Sequence, residues 1–196
     1  VLMDNGIYRH IRFKRPGTGC YHFDLITYPG YLVHSGDMGC YVFSRLDDMF
    51  EFFRTDREHR HLKDGQTLAI NLGYWSEKLR AVDGGRQNPG AMEFSPDRFR
   101  QHVKDAFDDE CETRESEVEQ TALWSEIEDR VLAYADDGEY EARRMLADFC
   151  SDDGFEFTDS CEWELQDYTY HFVWCCYALA WGIKQYDDAK AERIAA

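Results

Sequence analysis

Two cysteines and two histidines near the N-terminus have the types and spacing that nucleophilic catalysis needs. Cys20 and His22 are two residues apart, and His34 and Cys40 fall in the next two strand-like runs. Adjacent strands could bring a thiol and an imidazole together, and the imidazole could then remove the thiol proton. The simpler interpretation is two small cysteines in a sheet, because no neighbouring residue is expected to lower a thiol pKa. We therefore assign no catalytic residue.

A polar strand face is the main electropositive feature. In the alternating segment GIYRHIRFKRPG, residues 6–17, the side chains of His10, Arg12 and Lys14 fall on one face, and His22 follows in the next strand-like run. Such groups can bind a phosphate or an acidic partner. One functional alternative is therefore a small enzyme or ligand-binding protein that acts on a phosphate-bearing small molecule at His10, Arg12, Lys14 and His22. The other interpretation is an ordinary solvated sheet face.

Two further groups contain metal-ligating residue types without the matching spacing. His59 and His61 in REHRH suit a strand rather than a helix, and Arg57 and Arg60 would repel a cation. The segment DDECE, residues 108–112, lacks the glycine and the alternating oxygen ligands of a calcium loop. Walker, dinucleotide, serine-elbow and zinc-protease motifs are absent from the sequence. We expect no metal and no cofactor.

The glycine-bracketed segment SGDMG, residues 35–39, could either cradle a phosphate or reverse the chain. A phosphate loop normally joins a strand to the N-terminus of a helix. Here the glycines separate two β-rich runs, YLVHS and CYVFS, so we predict a hairpin turn. The first helix is predicted to begin at Ser44, because Asp47 follows three residues later as in a capping box.

Negative charge is concentrated in the second half of the chain. Residues 1–104 carry 15 Lys and Arg against 13 Asp and Glu, and residues 105–196 carry 7 against 26, giving net charges of +2 and −19. Such a field repels free nucleic acid and attracts a basic surface. The alternative is a charged helical surface that serves solubility alone. We predict a partner-binding acidic surface formed by Asp105, Asp108, Asp109, Glu110, Glu112, Glu115, Glu117, Glu119, Glu126 and Asp129.

Strand signals come first along the chain, and helix signals follow. Four short β-rich runs joined by Pro-Gly and glycine turns predict an antiparallel β-meander. Capping residues and apolar stripes then predict helices near 95–107, 116–134 and 139–149, and a long final helix from about Cys161. That final helix is apolar nearly all round, which is typical of a central helix.

The predicted fold class is α+β, in a single domain of residues 1–196. An N-terminal antiparallel β-meander of about four strands and the first helix occupy residues 1–54. A loop-rich excursion, with a short helix near 76–82, occupies residues 55–93. A strongly acidic helical subdomain, residues 94–196, is predicted to pack around the long final helix.

The cysteines and the longest apolar run predict the environment of the protein. Seven cysteines at irregular spacings, with no secretory leader, indicate reduced thiols in a cytoplasm. The most apolar stretch, residues 168–183, is shorter than the roughly twenty residues that a bilayer span needs. We therefore predict a buried helix at this stretch and no membrane partner.

The N-terminal quarter carries a resemblance to a known group of proteins. GDMGCYVFSRLDDMFEFFR, residues 36–54, and the preceding RHIRFKRPGTGCYHFDLITYPG, residues 9–30, resemble small proteins encoded by phages and prophages of proteobacteria. The resemblance covers about the first 55 residues, and it carries over neither a known activity nor a functional residue. It implies a context, since small accessory phage proteins often act on host machinery, including defence systems.

These observations together predict a non-enzymatic phage or prophage accessory protein in the host cytoplasm. The acidic surface would bind and inhibit a basic nucleic-acid-handling complex, of the kind targeted by anti-CRISPR or anti-restriction proteins. The expected partner is a basic host protein or ribonucleoprotein, with no direct contact to nucleic acid. A homodimer formed through an apolar surface is a further alternative.

Overall fold

The computed structural model describes residues 1–58, 68–83 and 90–195. The chain forms two compact units. One contains Val1–Met92 and Tyr168–Ala196, and the other contains Glu93–Asp167. We call them the sheet unit and the helical unit. This division differs from the predicted boundary at residue 94, because the chain from Tyr168 onward returns to the sheet unit.

Six antiparallel strands in chain order form the sheet of the sheet unit. They are β1 (Met3–Asn5), β2 (Tyr8–Lys14), β3 (His22–Tyr28), β4 (Tyr31–Gly36), β5 (Gly39–Ser44) and β6 (Leu79–Val82). The α+β class with an N-terminal meander is confirmed. The predicted short helix near 76–82 is wrong, because Leu79–Val82 pairs with the free edge of β5 and this pairing outweighs any local helix preference.

Alternation along β2 separates the two faces of the sheet. Arg9 and Ile11 are buried, whereas Tyr8, Arg12 and Lys14 are exposed. The buried face continues through fully buried residues of the neighbouring strands, which are Leu25, Leu32, Tyr41 and Phe43. The period of two read from the sequence therefore gives the correct inward face.

The glycine-bracketed segment is a two-residue hairpin turn. Gly36 pairs with Gly39, which leaves Asp37 and Met38 as the loop. Gly39 adopts φ +101°, a conformation that favours glycine. A Cβ at Gly36 would lie 2.7 Å from the Phe23 Cα and closer still to the His22 carbonyl oxygen. The glycines therefore permit a tight turn and a close approach between β3 and β4.

The other described elements are six α-helices, two further strands and two short 3₁₀ helices, Leu132–Tyr134 and Ser160–Glu162. The helices are α1 (Met49–Glu58), α2 (Leu72–Ser76), α3 (Pro96–Cys111), α4 (Glu117–Arg130), α5 (Glu139–Asp148) and α6 (Tyr170–Ala195). The strands β7 (Met92–Phe94) and β8 (Gln166–Tyr168) pair with each other. Within the described residues, no helix combines the length and the apolarity that a bilayer crossing requires.

Two predicted helix starts are wrong, and the local hydrogen bonds show why. Helix α1 begins at Met49 rather than Ser44, because the Asp48 carboxylate accepts the Phe50 backbone N–H at 2.9 Å. Helix α6 begins at Tyr170 rather than Cys161, because the Thr169 hydroxyl accepts the Phe172 backbone N–H at 3.2 Å.

Helix α6 is the main helical element of the sheet unit's core. Its buried residues Phe172, Cys176, Leu179 and Ile183 belong to the same core cluster as the inward face of the sheet. At Gly182 the helix approaches the sheet closely, since an added Cβ would lie 2.9 Å from Leu25 Cδ1. The predicted core helix therefore packs with the meander, and the acidic helices share a core of their own.

The helical unit has a hydrophobic core of its own. Phe99 and Val103 of α3, Leu123 and Ile127 of α4, and Leu146 of α5 are buried together. Its first two helices have the predicted starts. The hydroxyls of Ser95 and Ser116 accept backbone N–H groups three residues later, and Pro96 is the first residue of α3.

Candidate functional site

All of the protein's net negative charge belongs to the helical unit. Residues 93–167 contain 25 Asp and Glu against 7 Lys and Arg, a net charge of −18. The remaining residues contain 14 against 15, a net charge of +1. The charge asymmetry predicted from the two halves of the sequence therefore coincides with a structural division.

Every cation of the helical unit already lies in an ion pair. Arg100 contacts both Asp97 and Asp136, and Arg114 contacts both Glu110 and Asp153. The five others each contact one carboxylate, in the pairs Arg98–Asp167, Lys104–Asp108, Arg130–Glu126, Arg143–Glu139 and Arg144–Glu141. Nine carboxylates are balanced in this way.

The other sixteen carboxylates of the helical unit have no ion pair with a described residue. They include seven of the ten predicted surface residues, which are Asp105, Asp109, Glu112, Glu115, Glu117, Glu119 and Asp129. The remaining three, Asp108, Glu110 and Glu126, are paired. A basic partner would therefore meet carboxylates that no lysine or arginine of the described residues engages.

The ends of α3 and α4 position many of these carboxylates. Glu117 and Glu119 lie in the first turn of α4, where the positive end of the helix dipole favours negative charge. Asp109 and Glu112 lie at the last turn and C-cap of α3, which contains no basic residue. There the dipole opposes a carboxylate, typically by about 0.3–1 kcal/mol. These two acidic groups therefore do not serve the stability of their own helix.

A cavity of about 440 Å³ opens among the acidic residues of the helical unit. We call it the acidic cavity. Its carboxylates are Asp105, Asp109, Glu110 and Glu156. Of these, only Glu110 forms an ion pair with a described residue. The negative charge of the acidic cavity therefore suits a cation better than an anion.

Aromatic rings form the other walls of the acidic cavity. Phe155, Phe157 and Trp163 line it, and the His102 ring stacks on Trp163 with centroids 5.3 Å apart. Ring faces attract organic cations, and the carboxylates add charge-assisted hydrogen bonds. The arrangement suits a guanidinium or an ammonium group. Glu156 and these rings were missed from the sequence, where FEF at 155–157 shows only an alternating pattern.

The described residues contain no group of three or more His, Cys, Asp or Glu arranged to hold a metal ion. The DDECE segment ends α3, so its side chains are distributed around a helix. His59 and His61 lie outside the described residues.

The polar strand face is largely balanced by carboxylates. Arg12 donates two hydrogen bonds to Asp24, at 2.8 and 2.7 Å, and these bonds lower the pKa of that carboxyl group. His10 Nε2 lies 3.3 Å from the same carboxylate. His22 Nδ1 lies 3.0 Å from Asp37. Of the four predicted ligand-binding residues, only Lys14 has no ion pair with a described residue.

The cysteines and histidines are not brought into a nucleophilic arrangement. Cys40 is opposite Ser35 and His34 is opposite Tyr41, so the two side chains point to opposite faces of the sheet. Burial lowers the pKa of His34 to about 4, against an opposing effect of Asp24. All seven cysteines are free thiols, and Cys20 is exposed. Among the residues that the structure describes, no thiol forms a hydrogen bond with an imidazole.

The comparisons with known proteins give no match, whether to a family model, a curated protein or a solved structure.

Proposed function

We propose that the protein docks through its helical unit onto the basic, nucleic-acid-binding surface of another protein. The observation that most supports this function is the set of sixteen carboxylates with no ion pair to a described residue, beside seven cations that are all engaged. A field of net charge −18 steers a cationic partner toward this unit and repels free nucleic acid.

In the proposed complex, carboxylates of this protein take the places in the partner's groove that nucleic-acid phosphates otherwise occupy. A nucleic-acid groove presents arginines and lysines at the spacing of successive phosphates. Asp105, Asp109 and Glu112 recur along α3 at intervals that a row of such cations can meet. The acidic cavity, with Trp163 in its wall, adds a position for one arginine or lysine side chain of the partner.

Electrostatics at the end of α3 further support a binding role. Asp109 and Glu112 oppose the dipole of their own helix and have no ion pair with any residue in the described ranges. Their charge becomes favourable when a partner supplies the cations. Occupying the partner's groove would also exclude its nucleic acid, and this makes the protein an inhibitor.

The N-terminal resemblance suggests which partners to test first. Proteins of phages and prophages meet host defence complexes that handle nucleic acid, such as CRISPR effectors and restriction enzymes. We place an anti-CRISPR or anti-restriction activity, in the cytoplasm of a proteobacterial host, first among the specific forms of the proposal.

Affinity capture from a nuclease-treated proteobacterial lysate tests the proposal. The proposal predicts a captured protein that duplex DNA or RNA displaces and that is released between 0.1 and 1 M salt, over which the screening length falls from about 10 to about 3 Å. Capture that persists unchanged at 1 M salt, or that nucleic acid does not displace, would contradict it.

Two triple variants that change the net charge equally show whether capture depends on the helical unit or only on the protein's total charge. The acidic triple variant, Asp109→Lys, Glu112→Lys and Asp129→Lys, places cations at helix C-termini, where the dipole favours them. The control triple variant, Asp47→Lys, Glu51→Lys and Glu192→Lys, changes exposed residues of the sheet unit. The acidic triple variant should lose the captured protein, and the control triple variant should retain it.

A further inference from the structure

A second cavity, of about 410 Å³, lies within the sheet unit. It opens where three segments meet, which are the β2–β3 connection, the β4–β5 turn and the first half of α6. Aromatic residues and one methionine form most of its lining, so we call it the aromatic cavity. Those residues are Phe13, Tyr21, Phe23, Met38, Tyr170, Trp174 and Trp181.

The floor of the aromatic cavity is a set of rings in mutual contact. Phe13 stacks on Phe23 with centroids 4.8 Å apart, and Trp181 meets Phe13 edge to face at 5.1 Å. Trp174 meets Phe23 edge to face at 5.7 Å. These contacts fix the rings in position, and a flat ligand would find a preformed apolar surface.

The rim of the aromatic cavity exposes rings that a folded protein usually covers. Tyr21 and Tyr170 are each 70% exposed and Trp181 is 42% exposed. Tyr21 also adopts φ +58°, a left-handed conformation that is unfavourable for a tyrosine. Strained backbone and exposed aromatic surface at one opening are typical of a ligand site.

The lining of the aromatic cavity contains one lysine, Lys14, and one carboxylate, Asp37. Asp37 Oδ2 accepts the His22 backbone N–H at 3.0 Å, and Asp37 Oδ1 lies 3.0 Å from the His22 ring Nδ1. Lys14, at the rim, has no carboxylate partner within the described ranges. Lys14 is therefore the cation of the lining that an anionic group of a ligand can meet.

We propose that the aromatic cavity binds a small planar aromatic molecule that carries one anionic substituent. The ring stacks among Phe13, Trp174 and Trp181, and Lys14 binds the carboxylate or phosphate. A volume of about 410 Å³ is in the range of small-ligand sites. This site belongs to the sheet unit, and the inference stands or fails independently of partner docking through the helical unit.

Three indole probes of different charge test the proposal. Isothermal titration of the purified protein with indole-3-acetate, indole and tryptamine compares an anionic, a neutral and a cationic form of one ring. We expect indole-3-acetate to bind at least about tenfold more tightly than tryptamine, the effect of one charge-assisted contact. Equal affinity for all three, a preference for tryptamine, or no binding would overturn the proposal.

Variants at exposed positions locate the binding without disturbing the fold. Lys14→Met should remove the preference for indole-3-acetate over the other two probes. Tyr170→Ala should weaken the binding of all three probes. Lys184 is an exposed residue of α6 outside the lining of the aromatic cavity. Lys184→Met should therefore leave the affinities of all three probes unchanged. If Tyr170→Ala instead dissociates a dimer seen by analytical ultracentrifugation, the cavity is an interface with a second copy and the proposal is wrong.

Discussion

Arg9 and Asp48 face each other through two parallel hydrogen bonds, from Nη1 to Oδ1 at 2.9 Å and from Nη2 to Oδ2 at 2.8 Å. The Arg9 side chain is only 7% exposed, and its guanidinium lies 4.8 Å from the centre of the Phe50 ring. The same Asp48 carboxylate accepts the Phe50 backbone N–H at the start of α1. One carboxylate thus both balances a buried cation of β2 and fixes where α1 begins.

We expect Asp48→Asn to destabilise the sheet unit by about 3 kcal/mol, because it leaves a buried guanidinium without its counter-charge. Asp188→Asn is the matched control, since Asp188 pairs with Lys184 on the surface and both side chains are about half exposed. Loss of such a surface pair costs about 0–1 kcal/mol. Urea unfolding followed by circular dichroism measures both. Equal losses would show that the Arg9–Asp48 pair has no special role.

The His34 ring gives the folded protein a specific sensitivity to mild acid. It is fully buried, and neither ring nitrogen makes a well-formed hydrogen bond to a described residue. Burial lowers the pKa of His34 to about 4 in the folded state. Between about pH 6.5 and 4 the unfolded chain therefore binds a proton that the folded protein does not, and the free energy of unfolding decreases by up to about 3 kcal/mol.

We predict that His34→Leu removes this loss between pH 6.5 and 4. Acid unfolding below pH 4 should remain, because protonation of carboxyl groups with a lowered pKa, such as Asp24 beside Arg12, still destabilises the folded state there. Urea midpoints measured at half-unit pH intervals test the prediction. A variant whose stability still falls as steeply as wild type over pH 6.5 to 4 would contradict it.

Gly36 and Gly19 should respond differently to the same substitution. A methyl group at Gly36 meets the backbone of His22 and Phe23, so Gly36→Ala forces β3 and β4 apart and should cost at least about 2 kcal/mol. At Gly19 an added Cβ has no neighbour within 4 Å. Gly19→Ala should be neutral or slightly stabilising. Thermal unfolding of the two variants makes the comparison, and a stable Gly36→Ala protein would refute the close approach.

The sequence is most informative where a local pattern decides the structure. Side chains along residues 8–14 alternate between two faces, and this period of two alone predicts that Arg9 and Ile11 share the inward face of β2. Ser95 with Pro96, and Ser116, are strong local signals, so the starts of α3 and α4 follow from them. The charge asymmetry can also be predicted, since it requires only counts of the charged residues in each half of the sequence.

Features that depend on distant contacts could not be predicted in this way. Strand β6 forms because β5 has a free edge, and α1 begins where Asp48 meets Phe50. Helix α6 pairs with the sheet because Gly182 allows close packing on Leu25. The acidic cavity joins Asp105 to Glu156 across some fifty residues of sequence. No local pattern contains that information.

Salt should stabilise the helical unit, because it screens the repulsion among the unit's carboxylates. Sixteen of its carboxylates have no ion pair to a described residue, so screening relieves more repulsion than attraction. We expect its melting temperature, measured by calorimetry, to rise by several degrees between 0.1 and 1 M sodium chloride. Over the same range of salt, the melting temperature of the acidic triple variant should rise less than that of the control triple variant. A melting temperature that falls with salt would contradict the prediction.

The most direct test of the account is the affinity of an oligo-arginine peptide, measured by isothermal titration at 0.1 M salt. Both triple variants change the net charge from −17 to −11, so the protein's total charge alone would weaken binding equally in the two. If the helical unit is the docking surface, the acidic triple variant should weaken binding by at least about tenfold, and the control triple variant by less than about twofold. Equal weakening by the two variants would contradict the account.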